Sequence, residues 1–318
     1  MSGRSLTVCV LGGTGFVGTE LVTRLVRDGH EVRVPTRRLI NGAHLKVLPT
    51  VQLVTANIHN SRVLGQLFAG VDVVINLVGI LNERGRATFR AVHKDLATKV
   101  IEEMRAQRVR RLLQMSSLAA GAQAPSQYLR TKAEAEAQVR VAAATIDATI
   151  FRPSVIFGER DSLTHRFAGL LRMSHGFLPL ARPGARFAPI YVGDVVEAFM
   201  RALADRSTIG KSLDLCGPDV MTLEQLVRLT ARAAHLPCHI LPLPDFIAAL
   251  QGMVMGMLPG QPFSTDNYRS LTIDSVCKQN GCETLGLTLS RMEAVVPGYL
   301  SGHSLQNQLD RYRRSASR

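Results

Sequence analysis

The stretch S-Q-Y-L-R-T-K, residues 126–132, contains two residues that could do acid–base chemistry together. Tyr128 and Lys132 are four positions apart, so on a helix they would share one face, a single turn apart. An ammonium group beside a phenol stabilises the phenolate and would lower the pKa of the tyrosine from about 10. Ser116 and Ser117 end a preceding apolar run, and a serine hydroxyl can hold a reacting oxygen while tyrosine exchanges its proton. These four residues are the candidate catalytic group.

A glycine-rich turn near the start of the chain is the candidate binding site. An apolar run ends at Leu11, and an amphipathic helical pattern covers residues 17–28. Between them, missing side chains would let a pyrophosphate approach, while free N–H groups and a helix N-terminus point at it. We therefore predict that a dinucleotide is bound by Gly12, Gly13, Thr14, Gly15, Phe16, Val17 and Gly18.

The end of the second predicted strand indicates which dinucleotide binds. An acidic residue there would favour NAD by bonding the ribose hydroxyl, but the chain has Thr36, Arg37 and Arg38. Because a guanidinium group matches a 2′-phosphate, we predict NADP(H) in preference to NAD(H). Glu31 lies too early in the strand to replace the missing acid. Pro35 lacks an N–H group, so we expect strand pairing to stop there.

Short apolar runs that alternate with amphipathic stretches must position these residues. The six runs are LTVCVLG, EVRV, VQLVTA, VDVVINLVG, RLLQMSS and ATIFRPS. Strands separated by helices in this way are typical of parallel βαβ units. VDVVINLV is almost wholly apolar, as expected for a central strand covered on both faces. The pattern predicts an α/β fold with a Rossmann-type, doubly wound parallel sheet.

The regular alternation ends after residue 156, which predicts a second, smaller C-terminal substrate lobe. We assign residues 1–156 and about 190–216 to the NADP-binding Rossmann domain, because 192–205 reads as a helix and 212–217 as a strand returning to the sheet. Residues 157–189 and 217–300 would form the lobe, over the carboxyl ends of the strands, where open α/β sheets bind ligands. Residues 301–318 would be a basic C-terminal tail.

Composition narrows the functional classes. The net charge of +13 occurs without a recognisable nucleic-acid-binding motif, so we expect no nucleic-acid partner and keep an anionic membrane surface as an alternative. The five cysteines are scattered, which predicts a reducing compartment and no disulfide framework. No secretion signal is evident, so we expect a cytoplasmic protein, or one held on the inner face of a membrane. The nine histidines lack metal-ligand spacing, and we predict no metal site.

Residues 241–260 form a markedly apolar segment rich in methionine. Prolines limit its predicted helix to residues 245–258, which is shorter than the roughly 20 residues needed to cross a bilayer. It is either a helix packed in the lobe or a surface that docks a partner, an apolar substrate or a membrane interface.

Taken together, these motifs resemble the extended and atypical branches of the short-chain dehydrogenase/reductase superfamily over nearly the whole chain. The similar stretches are GGTGFVG, VINLVG, YLRTK, FRPSVIFGERD and APIYVGDVVEAFMRAL. Within the superfamily, TRR, YLRTKAEAE, LTIDSVCKQNG and MEAVVPGYL are similar to the group around the NADPH-binding accessory subunit of respiratory complex I.

The resemblance implies further cofactor contacts. Residues matching Pro153, Ser154 and Val155 line the nicotinamide side in that family, and the lysine matching Lys132 also contacts the nicotinamide ribose. The motif after the fourth strand adds Leu77, Val78 and Gly79 to the predicted contacts. Asn57 stands where the family has an acidic residue after the third strand, which alters the adenine contacts. The family's polar helix position falls near His93, which we interpret as an ordinary helix residue.

Four functions remain open at this point. The first is an NADP-dependent oxidoreductase acting on a hydrophobic carbonyl or quinone-like substrate. The second is an accessory protein of a respiratory complex or quinone pathway, with NADPH as a structural ligand. The third is a nucleotide-sugar epimerase or dehydratase, although alanines replace the tyrosine–glycine pair that such enzymes usually carry after the fifth strand. The fourth is a redox-sensing regulator without catalysis.

Overall fold

A computed structural model describes residues 5–247, 251, 253 and 263–301. These residues divide into two compact units, of which the first contains residues 5–153, 195–215 and 279–287. Seven of its strands form one parallel sheet: β1 (Thr7–Leu11), β2 (Glu31–Thr36), β3 (Val51–Thr55), β4 (Val73–Asn76), β5 (Arg111–Met115), β6 (Asp147–Pro153) and β11 (Ser212–Leu215). Their order across the sheet is β11-β6-β5-β4-β1-β2-β3. This order is the doubly wound Rossmann arrangement with one added strand, which confirms the predicted fold class.

Helices cover both faces of this sheet. The helices are α1 (Phe16–Arg27), α2 (Ser61–Phe68), α3 (Leu96–Ala106), α4 (Gln127–Val141) and α6 (Val192–Ala204). Alternate residues of a strand point to opposite faces, so Ile150 joins the core built with α2, α3 and α4, while Phe151 stacks on Phe199 of α6 at 4.0 Å. On that second face, Arg24 of α1 makes an ion pair with Glu197 of α6.

Strand β4 shows why the sheet needs both layers. All four of its side chains are buried, as the apolar run VDVVINLV predicts. Parallel pairing joins it to β1 through Leu11 and Asn76, and to β5 through Asn76 and Gln114. The switch in strand order therefore lies beside β1 and β4, where open α/β sheets bind ligands at the carboxyl ends of the strands.

The second unit contains described residues from 154–194, 216–278 and 288–301. Its strands form three two-stranded sheets that pair β7 (Ile156–Phe157) with β10 (Ile190–Tyr191), β8 (Phe177–Ala181) with β13 (His239–Leu243), and β9 (Arg186–Phe187) with β12 (Met221–Thr222). Its helices are α5 (Ser162–Met173), α7 (Leu223–Ala233), α8 (Thr265–Ser270) and α10 (Met292–Leu300). Leu226 of α7 and Val296 of α10 are both fully buried in one of its cores.

Two features of the local structure differ from the sequence expectations. Residues 279–287, which the sequence analysis assigns to the lobe, cluster with the first unit, and helix α9 (Gly281–Thr284) lies so close to β11 that a Cβ on Gly281 would be 3.0 Å from the carbonyl oxygen of Asp214. Pairing of β2 with β3 continues past the expected end, since Pro35 pairs with Val54 and Thr36 with Thr55. The missing N–H group affects the β1 side, where the register ends at Arg33.

One disulfide, which the scattered cysteines did not lead us to expect, joins Cys216 and Cys277 in the second unit. They are 61 positions apart, and tertiary contacts bring them together. Ser275 forms a bridge with Phe187 of β9 and donates its N–H group to Arg186, which fixes the Cys277 segment beside the chain that leaves β11. Sequence spacing alone does not reveal such a contact.

Much of the apolar segment 241–260 lies outside the described residues, as does the tail from residue 302 onward. Residues 241–243 belong to β13, ahead of the predicted helix. Among the helices of the described residues, none combines the length and apolar character needed to cross a membrane.

Candidate functional site

The glycine turn after β1 has the backbone of a nucleotide cradle. Gly12 has a φ of +81°, a conformation that glycine adopts without the steric cost of a Cβ. A Cβ on Gly18 would overlap the carbonyl oxygen of Gly12, so only glycine lets α1 begin this close to the turn. A Cβ on Gly13 would lie 2.8 Å from Cγ1 of Val34 in β2. Each substitution would move the helix away from the strands.

The start of α1 is suited to an anion. Its N-cap residue is Gly15, which is exposed and has no side chain to accept hydrogen bonds from the first turn. The first turn of a helix has backbone N–H groups without intrahelical partners, and the helix dipole adds positive potential there. Phe16 and Val17 begin α1, and its first turn contains no acidic residue that would repel a phosphate. The turn therefore fits a dinucleotide.

The residues predicted to read the ribose and adenine lie at the same edge of the sheet. Arg37 and Arg38 follow the carboxyl end of β2 and are exposed, while Glu31 begins β2 at the opposite edge. Thr36 donates its hydroxyl to the carbonyl of Arg38 at 3.0 Å, which shapes this short turn. Asn57 is exposed after β3, and its side chain accepts the N–H group of His59 at 3.1 Å.

The segment after β4 joins the cradle to the candidate catalytic helix. Asn76 accepts the N–H group of Val78 at 3.1 Å and donates to Gln114 at 3.0 Å, which fixes the turn that contains Leu77. A Cβ on Gly79 would lie 3.1 Å from Nζ of Lys132. The absence of a side chain at Gly79 therefore lets the two predicted sites meet.

Helix α4 presents Tyr128 and Lys132 as the sequence predicts. Ser126 caps the helix by accepting the N–H group of Leu129 at 3.3 Å. Lys132 is 4% exposed and donates to the carbonyl of Met115 at 3.4 Å, and its Nζ lies 6.0 Å from the centre of the Tyr128 ring. Burial lowers the pKa of Lys132 to about 8, although Glu136 opposes this effect. A lysine with this pKa can exchange a proton near neutral pH.

Tyr128 behaves differently from the sequence expectation. Burial raises the pKa of Tyr128 above its usual value, and a hydrogen bond with Ser117 opposes that rise. The expected lowering by Lys132 is not found: its Nζ lies 6.0 Å from the centre of the Tyr128 ring, and burial has the larger effect on the pKa of the phenol. Tyr128 is therefore held as a neutral phenol, which is the form that can donate a proton.

The two candidate serines have different surroundings. Ser117 bonds to Tyr128, whereas Ser116 is buried and its N–H group donates to Phe151. Within the part of the chain that the structure describes, the hydroxyl oxygen of Ser116 has no hydrogen-bond partner. A buried hydroxyl of this kind is costly unless another group satisfies it. Ser117 is thus the serine that the structure brings to Tyr128.

His93 has a structural part that the sequence alone did not reveal. It lies 3% exposed in a π-helical turn, Arg90–Asp95, that precedes α3. Its Nε2 accepts the N–H group of Ile80 at 3.2 Å, so Nδ1 carries the proton that it shares with Thr131 at 2.9 Å. Its ring packs against the edge of Tyr128, with centroids 5.5 Å apart. The family resemblance marks this helix position as polar, and this was the one sequence feature that could have indicated the contacts of His93.

The imidazole of His93 remains neutral. Burial, together with the neighbouring charge of Lys132, lowers the pKa of His93 to about 2. A proton relay that needs imidazolium is therefore disfavoured. His93 instead fixes the segment after β4 against α4, since one ring nitrogen binds each of them.

The remaining predicted contacts follow β6. Pro153 ends β6 in the first unit, and its carbonyl accepts the N–H group of Leu118. Ser154 belongs to the second unit, where its buried hydroxyl donates to the carbonyl of Ser275 at 2.7 Å. Val155 packs against an apolar core of that unit. Among the described residues, no group of three or more histidine, cysteine or acidic side chains is placed to hold a metal ion.

Comparison with known proteins identifies the family of this chain. Residues 8–215 match the NAD dependent epimerase/dehydratase family. The chain is 31% identical over 320 residues to NADH dehydrogenase (ubiquinone) 1 alpha subcomplex subunit 9, mitochondrial, of Arabidopsis thaliana, covering 95% of this chain and 77% of that protein. It is 32% identical over 247 residues to a ceramide reductase of Caulobacter vibrioides, covering 75% and 74% of the two chains.

Solved structures agree on the fold. A nucleoside-diphosphate-sugar epimerase from Staphylococcus aureus superposes with a TM-score of 0.74 at 14% identity, covering 92% of this chain and all of that one. At this identity the likeness concerns the fold alone. The family match and the relatives above 30% identity go further: this chain is a member of the NAD dependent epimerase/dehydratase family, within the extended short-chain dehydrogenase/reductase superfamily, and is homologous to a mitochondrial complex I subunit.

Proposed function

We propose that this protein is an NADP(H)-dependent oxidoreductase acting on a hydrophobic carbonyl or quinone-like substrate. The observation that carries the proposal is the group formed by Ser117, Tyr128 and Lys132, in which a neutral phenol bonds to a serine and lies beside a buried lysine. This group meets the segment after β4 at Gly79. A purely structural nucleotide would not require these buried polar groups to be arranged in this way.

Each residue has a defined part in this reaction. When bound, the nicotinamide cofactor would supply or accept a hydride at the substrate carbon. Tyr128 donates its phenol proton to the substrate oxygen during reduction, and Ser117 holds that oxygen by a hydrogen bond. Lys132 stabilises the phenolate that Tyr128 leaves, and by resemblance it holds the nicotinamide ribose. Oxidation reverses each proton transfer.

Two observations support the choice of cofactor and substrate. Arg37 and Arg38 are exposed beyond β2, and no acidic residue lies between Thr36 and Asn57. Positive charge at this position favours a 2′-phosphate over a free hydroxyl. The ceramide reductase relative, matched over 75% of this chain, supports an apolar substrate class.

A measurement of catalytic turnover distinguishes this proposal from the alternative functions. Purified protein is mixed with NADPH and a panel of quinones and long-chain ketones, and NADPH oxidation is followed by its absorbance. We expect turnover that Tyr128→Phe lowers about a hundredfold or more, as loss of an acid–base group does. Tyr268→Phe, in α8 of the second unit, is the matched control and should retain activity. Equal activity in Tyr128→Phe would contradict the proposal.

A second candidate function is supported by a separate observation. The chain matches a mitochondrial complex I subunit over 95% of its length, so the protein could serve as an accessory subunit with NADPH as a structural ligand. In that case the bound nucleotide exchanges with labelled NADPH over hours rather than seconds. The protein would also migrate with a respiratory complex in native gels.

The nucleotide-sugar epimerase or dehydratase function is the remaining alternative, and the family match and the solved neighbours favour testing it. Ala119 and Ala120 stand after the serines, where such enzymes usually carry tyrosine and glycine. Calorimetry with UDP- and dTDP-sugars in the presence of NADP+ decides the matter. Binding tighter than millimolar would favour this alternative over an apolar substrate.

A further inference from the structure

Except for His239, the outer face of the β8–β13 sheet in the second unit is apolar, although it is exposed. Phe177 lies opposite His239 and Pro179 opposite Leu241 in the parallel register, so these four side chains share one face. Phe177 is 54% exposed and Leu241 is 52% exposed. A sheet with one solvated face normally places polar side chains there. The inner face is already filled by the buried core, so packing inside the unit does not explain the outer apolar residues.

Segments next to this sheet in the chain also expose apolar side chains. Met173 ends α5 and is 81% exposed, and Phe246, after β13, is 74% exposed. An ion pair between Arg182 and Asp245 holds the start of that segment at the end of β8. Gln251 donates to the carbonyl of Pro179. We call the apolar face the set Phe177, Pro179 and Leu241.

The backbone of this sheet is poorly suited to pairing with a strand from another protein. Pro179 interrupts β8, Pro242 lies within β13 and Pro244 follows it. Proline has no N–H group to donate, so a partner strand would lose hydrogen bonds at each of these positions. Neither strand contains an aspartate, glutamate, lysine or arginine that could select a polar partner. An occupant that needs no hydrogen bonds from the protein fits better.

We propose that the apolar face docks at the interfacial region of a lipid bilayer and prefers anionic lipids. Aromatic, methionine and aliphatic side chains bury at the boundary between headgroups and acyl chains without needing hydrogen-bond partners. Arg166 and Arg172 are exposed on α5 beside Met173, and the chain as a whole carries a net charge of +13. Both features attract an anionic surface. This inference is independent of the cofactor and of catalysis.

Flotation with lipid vesicles tests the docking directly. Full-length protein with its nucleotide is mixed with vesicles of phosphatidylcholine alone, or of phosphatidylcholine with phosphatidylglycerol, and the floated fraction is measured. We expect binding to the anionic vesicles that weakens as salt is added. The double variant Phe177→Ser/Leu241→Ser should bind about a hundredfold more weakly, because each large apolar side chain contributes about tenfold.

A matched double variant controls for general loss of apolar surface. Val47 and Val141 lie in the first unit and are 82% and 80% exposed. Val47→Ser/Val141→Ser should bind vesicles as the unchanged protein does, and all three proteins should unfold at the same temperature. Absence of vesicle binding by the unchanged protein, or equal binding by the two double variants, would overturn the proposal. So would a dimer, seen by sedimentation, that Phe177→Ser/Leu241→Ser converts to monomer, because the occupant would then be a second copy.

Discussion

At the residue scale, the candidate site depends on buried groups whose charged forms the protein opposes. Burial lowers the pKa of both Lys132 and His93 and raises that of Tyr128. Each shift favours the neutral form. These groups therefore lie in a low-dielectric environment, in which a new charge interacts strongly with its neighbours. A phosphate or a phenolate nearby would raise the pKa of Lys132 again.

The pKa of Lys132 leads to a prediction about stability. Its value falls from 10.5 to about 8, so below pH 8 the folded protein bears the cost of a buried ammonium group. Lys132→Met should raise the free energy of unfolding of the cofactor-free protein by about 2 kcal/mol at pH 7, which is the ionisation cost less one lost hydrogen bond. Urea unfolding at several pH values measures this difference.

The direction of the pH dependence follows from proton binding. Between pH 8 and 10.5 the unfolded chain binds a proton at Lys132 that the folded chain does not, so the unchanged protein gains stability as the pH rises. The advantage of Lys132→Met should therefore shrink across this range. Lys46→Met, at an exposed position, is the control and should show no such trend. A constant difference between the unchanged protein and Lys132→Met would contradict the assigned burial.

The exposed arginines after β2 give a second residue-scale prediction. Arg37→Ala/Arg38→Ala should weaken NADPH binding by about tenfold or more and leave NADH binding nearly unchanged, since only NADPH carries the 2′-phosphate. Fluorescence titration of both nucleotides measures the ratio. Arg27→Ala, at the far end of α1, is the control. Equal losses for NADPH and NADH would show that these arginines do not recognise the phosphate.

At the scale of elements, the β1–α1 turn serves both nucleotide binding and the packing of α1 on the sheet. The same glycines that would admit a pyrophosphate also let α1 approach β1 and β2. Helix α4 and the π-helical turn before α3 are joined in a similar way, since Thr131 and Tyr128 of α4 both contact His93. A change in either element would therefore alter both stability and ligand geometry.

Gly18→Ala tests the coupling at the turn. The added Cβ would overlap the carbonyl oxygen of Gly12, so α1 must move. We expect a loss of about 1–3 kcal/mol in the free energy of unfolding, together with strongly reduced nucleotide binding. Gly169→Ala is the matched control, because Gly169 lies within α5 and its Cβ would meet no atom within 4 Å. That change should leave binding intact and stabilise by up to about 1 kcal/mol. Similar behaviour of the two variants would refute the close approach.

At the scale of the whole molecule, each unit has its own means of stabilisation. The first unit buries a continuous core on its sheet. The second has three two-stranded sheets and smaller cores, and the disulfide between Cys216 and Cys277 closes a long loop within it. Because two-stranded sheets bury little surface by themselves, we expect the disulfide to contribute substantially to the stability of the second unit.

The disulfide gives a prediction at this scale. Restricting a loop of this length in the unfolded chain corresponds to about 4 kcal/mol, so Cys216→Ser/Cys277→Ser should lower the free energy of unfolding by up to that amount. Alkylation of denatured, unreduced protein followed by mass spectrometry should label Cys9, Cys238 and Cys282 alone. Cys238→Ser, at a half-buried free cysteine, is the control and should change stability little. Five labelled cysteines in the unreduced protein would contradict the link.

Local patterns determined a large part of the structure and of the candidate site. The glycine turn, the alternation of strands and helices, and the spacing of Tyr128 and Lys132 each depend on residues close together in sequence, and backbone geometry converts such spacing directly into shape. The fold class and family predicted from them are confirmed. The domain limits, the cofactor preference and the residue roles stay predictions.

Tertiary structure alone decided the remainder. Ser117 rather than Ser116 bonds to Tyr128, His93 joins β4 to α4, and Cys216 reaches Cys277 across 61 positions. The direction of the Tyr128 pKa shift was also decided there, because it depends on burial and on where the Lys132 ammonium lies. Each outcome depends on groups that are distant in sequence and adjacent only after folding. Local periodicity carries no information about such distances, so they become known only once the chain has packed.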